Sequence, residues 1–423
     1  MRLCVFGTAS MLALGLGLSP VLPAGPAMAQ VVESDTTFSC DTGIGKPLPF
    51  TPSCREEAPG FEMRGPEFDE ERYRATWVRY LEPTDEGDAL IYVADVDPIT
   101  GVINAEEAET ILSKVAPPKA TNNGPEWADS QRGPEIFFSC ANPDYTRPRL
   151  CRINADFSVT ELQGTTGYSI RSPAKNASNP VPKIYYEARS DTFDDGEYVR
   201  IGFAYRADEE NFEDKFADPD GFVKGGRWMP DGKTLIYSRY TANSETREVS
   251  INVFVHDTER GGRQRLFNDG RDRINARAWE APELGGKIAF MATLLDEDDN
   301  DSWDLAVYRQ VEGFEFELWT ILEPICPETF PNSFSPEPFV FEGRSYVSGL
   351  SVPGGDVNTD TGTVWVKTVD PDLPEEEKIA RIISANGCVN DGVIRKDPEG
   401  LPLQDAEGNI VGARVYYTVR APK

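Results

Sequence analysis

The sequence predicts an all-β chain closed into a single β-propeller, and two observations predict it. The first is a hairpin pattern that keeps returning. Its clearest copy runs from Arg227 to Phe267: R-W-M-P-D-G-K-T-L-I-Y-S, a polar loop, I-N-V-F-V-H-D-T-E-R-G-G, then R-Q-R-L-F. Variants begin at Glu135 (E-I-F-F-S), Lys183 (K-I-Y-Y-E-A), Lys287 (K-I-A-F-M-A) and Arg344 (R-S-Y-V-S-G), with an echo at Arg414 (R-V-Y-Y-T-V). From Glu135 to Arg344 the repeat is roughly 50 residues, the length of one four-stranded blade. The second observation is local. From about Tyr73 onward, short β-branched and aromatic runs alternate with turns rich in Gly, Pro, Asp and Asn, the pattern of an all-β chain.

Taken in order, the chain opens with a short basic start, Met1-Arg2, an apolar run from Met11 to Leu22, and Ala27-Met28-Ala29 before Gln30. That is the layout of a cleaved signal peptide over 1–29, whose apolar run is shorter than the roughly 20 residues of a membrane span. The expectation is a periplasmic or secreted protein without a membrane span. Residues 30–72, rich in Pro, Gly and acid, read as an extended leader, and 73–423 as the propeller. Blade candidates fall at about 73–116, 120–165, 168–216, 221–268, 273–323 and 333–384, which makes six, with seven as the alternative. The tail, 388–421, holds two further hairpin arms. Such a tail is expected to pair with strands between Tyr73 and Leu112, so that terminal closure leaves no long open edge.

Cysteine usage fits export. Of seven cysteines, Cys4 leaves with the signal, and the even remainder suits an oxidising compartment. Local staples are expected between Cys40 and Cys54 and between Cys140 and Cys151, leaving Cys326 with Cys388. No C-x-x-C is present and there is one histidine, so a zinc site is not expected.

The chain carries 42 basic and 71 acidic residues, a formal charge of −29. Nucleic acid is excluded as a partner, because binding it requires a basic surface that neutralises phosphates. The charge serves solubility through self-repulsion, or attracts divalent cations.

Trp228-M-P-D-G-K-T-L-I-Y resembles the W-S-P-D-G-K-x-I-A-F signature of the TolB-like (PD40) propeller repeats, and Asn275-A-R-A-W-E-A-P-E-L-G-G-K-I-A-F resembles a degenerate second copy. The resemblance covers about four blades. It implies a propeller whose Trp packs between blades and whose Pro-Asp-Gly turns the chain. No room is left before the propeller for the separate α/β domain of TolB, so the resemblance implies the fold rather than the Tol–Pal role.

Candidate chemistry is narrowed by residue type. His256, in Val253-F-V-H-D, lies in a period-2 strand and is read as structural; no G-x-S-x-G accompanies it for a Ser-His-Asp triad, and no Gly-rich phosphate loop with its lysine is present. Paired carboxylates remain open, since two acids at a suitable separation suffice for a glycosidase. Asp296-E-D-D-N-D-S-W-D-L-A-V matches the D-x-D-x-[DN]-x-x-x-D-L-x-V calcium loop of integrin-like propellers. Side-chain oxygens of Asp296, Asp298, Asn300 and Asp304, with the Ser302 carbonyl, would make a hard-oxygen site for Ca²⁺, although Asp301 stands where glycine is usual. Asp356-V-N-T-D-T-G is a weaker relative in the next blade.

Trp77, Trp127, Trp228, Trp279, Trp319 and Trp365 recur at blade-like spacing and are expected to pack between blades, whereas Trp303 is expected in an exposed loop. Arg227, Arg239, Arg273 and Arg277 cluster near strand starts, where a propeller opens its central funnel. They would meet an anionic ligand or offset neighbouring carboxylates. Two function classes follow. One is a non-catalytic, monomeric scaffold binding a protein or polysaccharide through one propeller face; the other is a calcium-assisted carbohydrate-active enzyme, a glycosidase or lyase, using carboxylates at the funnel.

Overall fold

In the computed structural model the chain is an all-β propeller. The structure describes residues 48–49, 64–69, 72–80, 89–104, 109–111, 125–130, 133–140, 149–154, 156–162, 168–175, 183–190, 199–205, 212–217, 222–242, 249–295, 303–328, 331–352, 363–383, 393–394, 399–416 and 419–420. Six four-stranded antiparallel sheets follow one another in chain order. Sheet one holds β1 (Arg64–Asp69), β2 (Arg74–Tyr80), β3 (Ala89–Asp95) and β4 (Glu109–Ile111). Sheet two holds β5 (Glu126–Ser130), β6 (Gly133–Cys140), β7 (Arg149–Ile153) and β8 (Val159–Glu161). Sheet three holds β9 (Tyr168–Lys175), β10 (Lys183–Ser190), β11 (Val199–Tyr205) and β12 (Phe212–Ala217). Sheet four holds β13 (Phe222–Trp228), β14 (Thr234–Ala242), β15 (Val249–Asp257) and β16 (Arg263–Arg265). Sheet five holds β17 (Arg273–Ala281), β18 (Lys287–Leu295), β19 (Trp303–Glu312) and β20 (Glu315–Leu322). Sheet six holds β21 (Asn332–Phe341), β22 (Arg344–Val352), β23 (Thr363–Thr368) and β24 (Ala380–Ile382).

Apolar runs on successive sheets face one another, so the core is a set of inter-sheet seams. Between sheets one and two, Val78, Ile91 and Val93 meet Trp127, Ile136 and Phe138. Tyr185 of sheet three packs with Val223, Trp228, Leu235 and Phe254 of sheet four, and Trp279, Met291 and Val307 of sheet five pack with Val347 and Trp365 of sheet six. Each such side chain contributes about 1.5–3 kcal/mol by leaving water. Trp127, Trp228 and Trp279 therefore pack between sheets, as their spacing predicts. The repeated turns are closed by aspartates: the Asp231 carboxylate accepts the Lys233 and Thr234 amides at 2.9 and 2.8 Å, beside Gly232 at φ 64°. Asp257 accepts the Glu259 and Arg260 amides, each at 2.9 Å, in the same way. These are side-chain mimics of a backbone turn.

Two expectations are corrected. Strand β1 lies inside the segment read as leader, because Arg64–Asp69 pairs with β2. Its sequence, R-G-P-E-F-D, has no alternating apolar pattern by which to recognise it. Since β1 already fills that edge, the tail does not complete the first sheet. Instead β26 (Glu399–Gln404) and β27 (Ile410–Tyr416) pair with each other and sit between β21 and β1, with the Gln404 amide donating to the Pro98 carbonyl at 2.8 Å. β25 (Val393–Ile394) pairs with β28 (Val419–Arg420). Among the described residues the ring is closed by packing of this hairpin rather than by strand exchange.

The expected Cys140–Cys151 disulfide is present, with a Cα–Cα distance of 5.8 Å across β6 and β7. Cys326 is also disulfide-bonded; Cys388, Cys40 and Cys54 lie outside the described residues. No helix among the described residues is long and apolar enough to cross a membrane.

Candidate functional site

The first strand of each sheet contacts the first strand of the next, so these strands form the inner wall of the ring. Five of them carry the same irregularity. In β1, β9, β13, β17 and β21 two residues oppose one on the second strand: Gly65-Pro66, Ser172-Pro173, Gly225-Gly226, Asn275-Ala276 and Ser335-Pro336. Such bulges twist a strand and re-aim the side chain that follows. The backbone requirement is visible in two copies, with Gly225 at φ 64° and Asn275 at φ 56°, the left-handed region that glycine and asparagine enter most readily. In four of the five, the residue that resumes pairing is charged: Glu67, Arg227, Arg277 and Glu337.

Two of these charges bind across a seam of the wall, and a third, Arg227, lies near a buried carboxylate of β10. Arg277 Nε donates to Glu337 Oε1 at 3.0 Å, joining sheet five to sheet six. Between sheets three and four, the Gly225 amide donates to Glu187 Oε1 at 2.6 Å, and the Tyr185 hydroxyl donates to the same oxygen at 3.2 Å. Burial pushes the Glu187 carboxyl above its ordinary range; the Gly225 amide and the Arg227 guanidinium pull the other way. Burial and the nearby Glu187 charge likewise push the Tyr185 phenol well up, and the same two causes, with Asp272, push Tyr240 up to about 12. Gly226 is required for this arrangement, because a Cβ there would lie 2.4 Å from the Tyr185 ring. The group can hold a proton on Glu187 beside a fixed amide, a phenol and a guanidinium.

Of the arginines picked from sequence, Arg227 and Arg277 occupy this inner wall. Arg273 begins β17 on the same wall, but its side chain is engaged elsewhere: it is 3 % exposed, pairs with Asp269, donates through Nε to the Tyr308 hydroxyl at 2.7 Å and lies over the Phe267 ring. Arg239 lies over the Phe254 ring, 5.5 Å from its centroid. His256 is buried in β15 with Nδ1 2.7 Å from the Gly262 carbonyl oxygen, and burial pushes its pKa down, which suits the structural role expected of it. Trp303 is not in an exposed loop. It begins β19, half-buried against the Phe339 and Tyr346 cluster of sheet six, because its amide is held by Asn332 Oδ1 at 2.8 Å.

Asp296, Asp298, Asn300 and Ser302 lie outside the described residues, as does the weaker 356–362 loop. Asp304 is placed in β19 opposite Leu294, beside the pair Leu295–Trp303, so the hairpin ends of the acidic loop are fixed. Its carboxylate bears electrostatically on Lys367, whose ammonium donates to the Glu323 carbonyl; burial nevertheless pulls Lys367 down to about 8. Among the described residues no cluster of three His, Cys, Asp or Glu side chains could hold a metal ion.

The inner-wall cluster was not legible as a site in the sequence, although one signal was there. K-G-G-R and I-N-A-R, with F-S-P-E and R-G-P-E, place a small or turn-forming pair before a charge at the start of a blade.

No family model matches the chain, and no curated protein matches it either. Among solved structures it is similar to a puromycin-hydrolyzing peptidase from Mycobacterium tuberculosis, at 12% identity and a TM-score of 0.45 over 83% of this chain and 58% of that one. It thus spans little more than half the peptidase. A protein described as TolB from Agrobacterium tumefaciens aligns at 10% identity and a TM-score of 0.39, covering 62% of this chain and 82% of that one. An oligogalacturonate lyase in complex with manganese aligns at 12% identity and a TM-score of 0.43, covering 72% and 74%. At these values the three bear on no residue, ligand or activity of this chain.

Proposed function

We propose that this chain is an exported TolB-like propeller that binds a protein or polymer partner through the face onto which the inner-wall bulges open, without chemistry of its own. One observation carries the reading. Arg277 and Glu337, two of the charges placed after bulges, bind each other, which makes them part of the wall rather than free acid–base groups. The buried His256 fits the same view. The Cys140–Cys151 disulfide supports an oxidising compartment, periplasmic or extracellular. The acidic surface favours a partner other than nucleic acid, and self-repulsion favours a monomer.

The test is capture of the tagged, full-length protein from cross-linked envelope and culture-medium fractions, repeated with Arg227→Ser. A discrete partner retained by the wild type and lost with the variant, at unchanged melting temperature, is the expected result. Capture of the same set by both proteins overturns the assignment of the face.

A second reading is favoured by Glu187 alone. A carboxyl pushed up by burial and set beside a guanidinium is suited to general acid chemistry on a sugar polymer. In that reading the chain is a calcium-assisted carbohydrate-active enzyme, a glycosidase or lyase, with a Ca²⁺ ion held by the 296–304 loop. Release of reducing ends or unsaturated products from a polysaccharide panel, abolished by Glu187→Gln, would replace the scaffold reading with this one.

A further inference from the structure

The outer margin of sheet five differs from every other. In four sheets the outermost strand is only three residues long: β4, β8, β16 and β24. In sheet three β12 has six, whereas β20 has eight and is the last strand of its sheet. Short edge strands are a common way of denying an incoming strand a template. Among the described residues β20 pairs with β19 alone, so one row of its amides and carbonyls faces outward without a ladder partner.

Its side chains are sorted by face. Register sets Phe316 opposite Gln310, Leu318 opposite Tyr308 and Ile321 opposite Ala306, on the side that packs towards sheet four. At the margin of this side Leu318 and Ile321 remain 50 % and 39 % exposed. Glu317 sits opposite Arg309 on the other face, with Glu315 two residues away on the same side. From Val311 to Glu323 the chain has acids at Glu312, Glu315, Glu317 and Glu323 and no lysine or arginine. Among these residues Glu317 has Arg309 beside it at 2.7 Å, and the Lys367 ammonium donates to the Glu323 carbonyl, which leaves Glu312 and Glu315 to add negative charge near the edge.

We propose that β20 is a docking edge for an extended basic segment of a partner protein, which adds to sheet five as a fifth strand. Main-chain ladder bonds would supply affinity, and alternate side chains specificity. The amphipathic edge asks for a strand alternating apolar and basic residues, apolar towards Phe316, Leu318 and Ile321, basic towards Glu315 and Glu317. A second copy of this chain is a poor occupant, because it would set acids opposite acids on a molecule of charge −29. This rim lies apart from the inner wall and stands whether or not the reading of that face is right.

The experiment uses the full-length protein and three labelled, end-capped octapeptides: alternating Lys-Val, alternating Glu-Val, and a Lys-Pro peptide of the same charge, two repeats of Lys-Lys-Pro-Pro, whose prolines interrupt both edges of the chain so that neither forms a continuous ladder. Anisotropy titrations should show Lys-Val binding at least tenfold tighter than either control. Hydrogen exchange should slow at Glu315–Leu322 on adding Lys-Val. Leu318→Lys with Ile321→Lys, and separately Glu315→Lys with Glu317→Lys, should each weaken binding at least tenfold with an unchanged melting temperature. Equal binding of Lys-Pro overturns the proposal, as does protection elsewhere. Slow exchange of the outward β20 amides in the protein alone would mean that its own chain covers the edge, and a dimer lost on Leu318→Lys would mean that a second copy does; either outcome also overturns it.

Discussion

Arg277 and Glu337 bind each other across the seam between two inner strands, with Nε and Nη2 of the arginine each 3.0 Å from the same carboxylate oxygen. Both side chains are mostly shielded, at 13 % and 16 % exposure, so removing either partner leaves a poorly solvated charge. A double-mutant cycle with Arg277→Met and Glu337→Gln should give a coupling of about 1–2 kcal/mol in denaturant unfolding. A coupling near zero would show that water serves each group equally well.

Gly226→Ala should destabilise the protein by about 1–3 kcal/mol, as overpacking does in a close-fitted seam. The cause is a Cβ 2.4 Å from the Tyr185 ring, a buried aromatic that has little room to retreat. The paired variant Gly226→Ala with Tyr185→Leu should recover part of the loss. If the single variant unfolds at the wild-type denaturant concentration, the ring and the glycine do not meet as described.

Glu187 gives the inner wall a pH dependence of definite sign. Its folded pKa is raised above the ordinary 4.5, with burial the leading cause. A group raised in this way contributes fully below about pH 4.5, where it is protonated in both states, and its contribution is lost as pH rises through the folded pKa. Glu187→Gln keeps an oxygen for the Gly225 amide and removes the titration. Unfolding midpoints from pH 4 to 8 should therefore show the wild type losing ground against Glu187→Gln as pH rises. A difference that is constant across that range would sink the assignment.

Calcium should raise the melting temperature relative to EDTA, by mass action on the folded state, and magnesium should do so less because it demands a tighter octahedral shell. The hairpin ends at Leu295 and Trp303 are already paired, so the loop ordered by the ion is short. Asp296→Ala with Asp298→Ala should abolish the shift. An equal shift in both proteins would make the acidic turn a solvated loop.

Much of the architecture could be read from the chain because it rests on local signals. Alternating runs such as Thr234-L-I-Y-S and turns such as Pro230-Asp231-Gly232 announce a strand and its hairpin without reference to anything distant. Five of the six blade windows match a four-stranded sheet to within a residue for this reason, and the first holds only β2, β3 and β4 of its sheet. Cys140 and Cys151 could be paired because the two arms of one hairpin bring them together. The strand β1 and the mode of closure could not. Gly65 and Pro66 break the apolar alternation where the bulge lies, and closure depends on which edge is already filled at the far end of the chain.

The sequence by itself determined the kind of protein this is: a repeating antiparallel β chain, strongly acidic, with Cys140 and Cys151 placed for a local staple. Those properties follow from side-chain period, turn chemistry and summed charge, which do not depend on the path between distant residues. Only the tertiary structure decided which charges meet. Arg277 and Glu337 are 60 residues apart in sequence, and Glu187 lies 38 residues before the amide of Gly225 that holds it. Their encounters depend on how one sheet is rotated against the next. The same is true of the outer edge of β20, beyond which no strand pairs among the described residues. No local pattern in Glu315–Leu322 can report whether the fold sets another strand beside that edge.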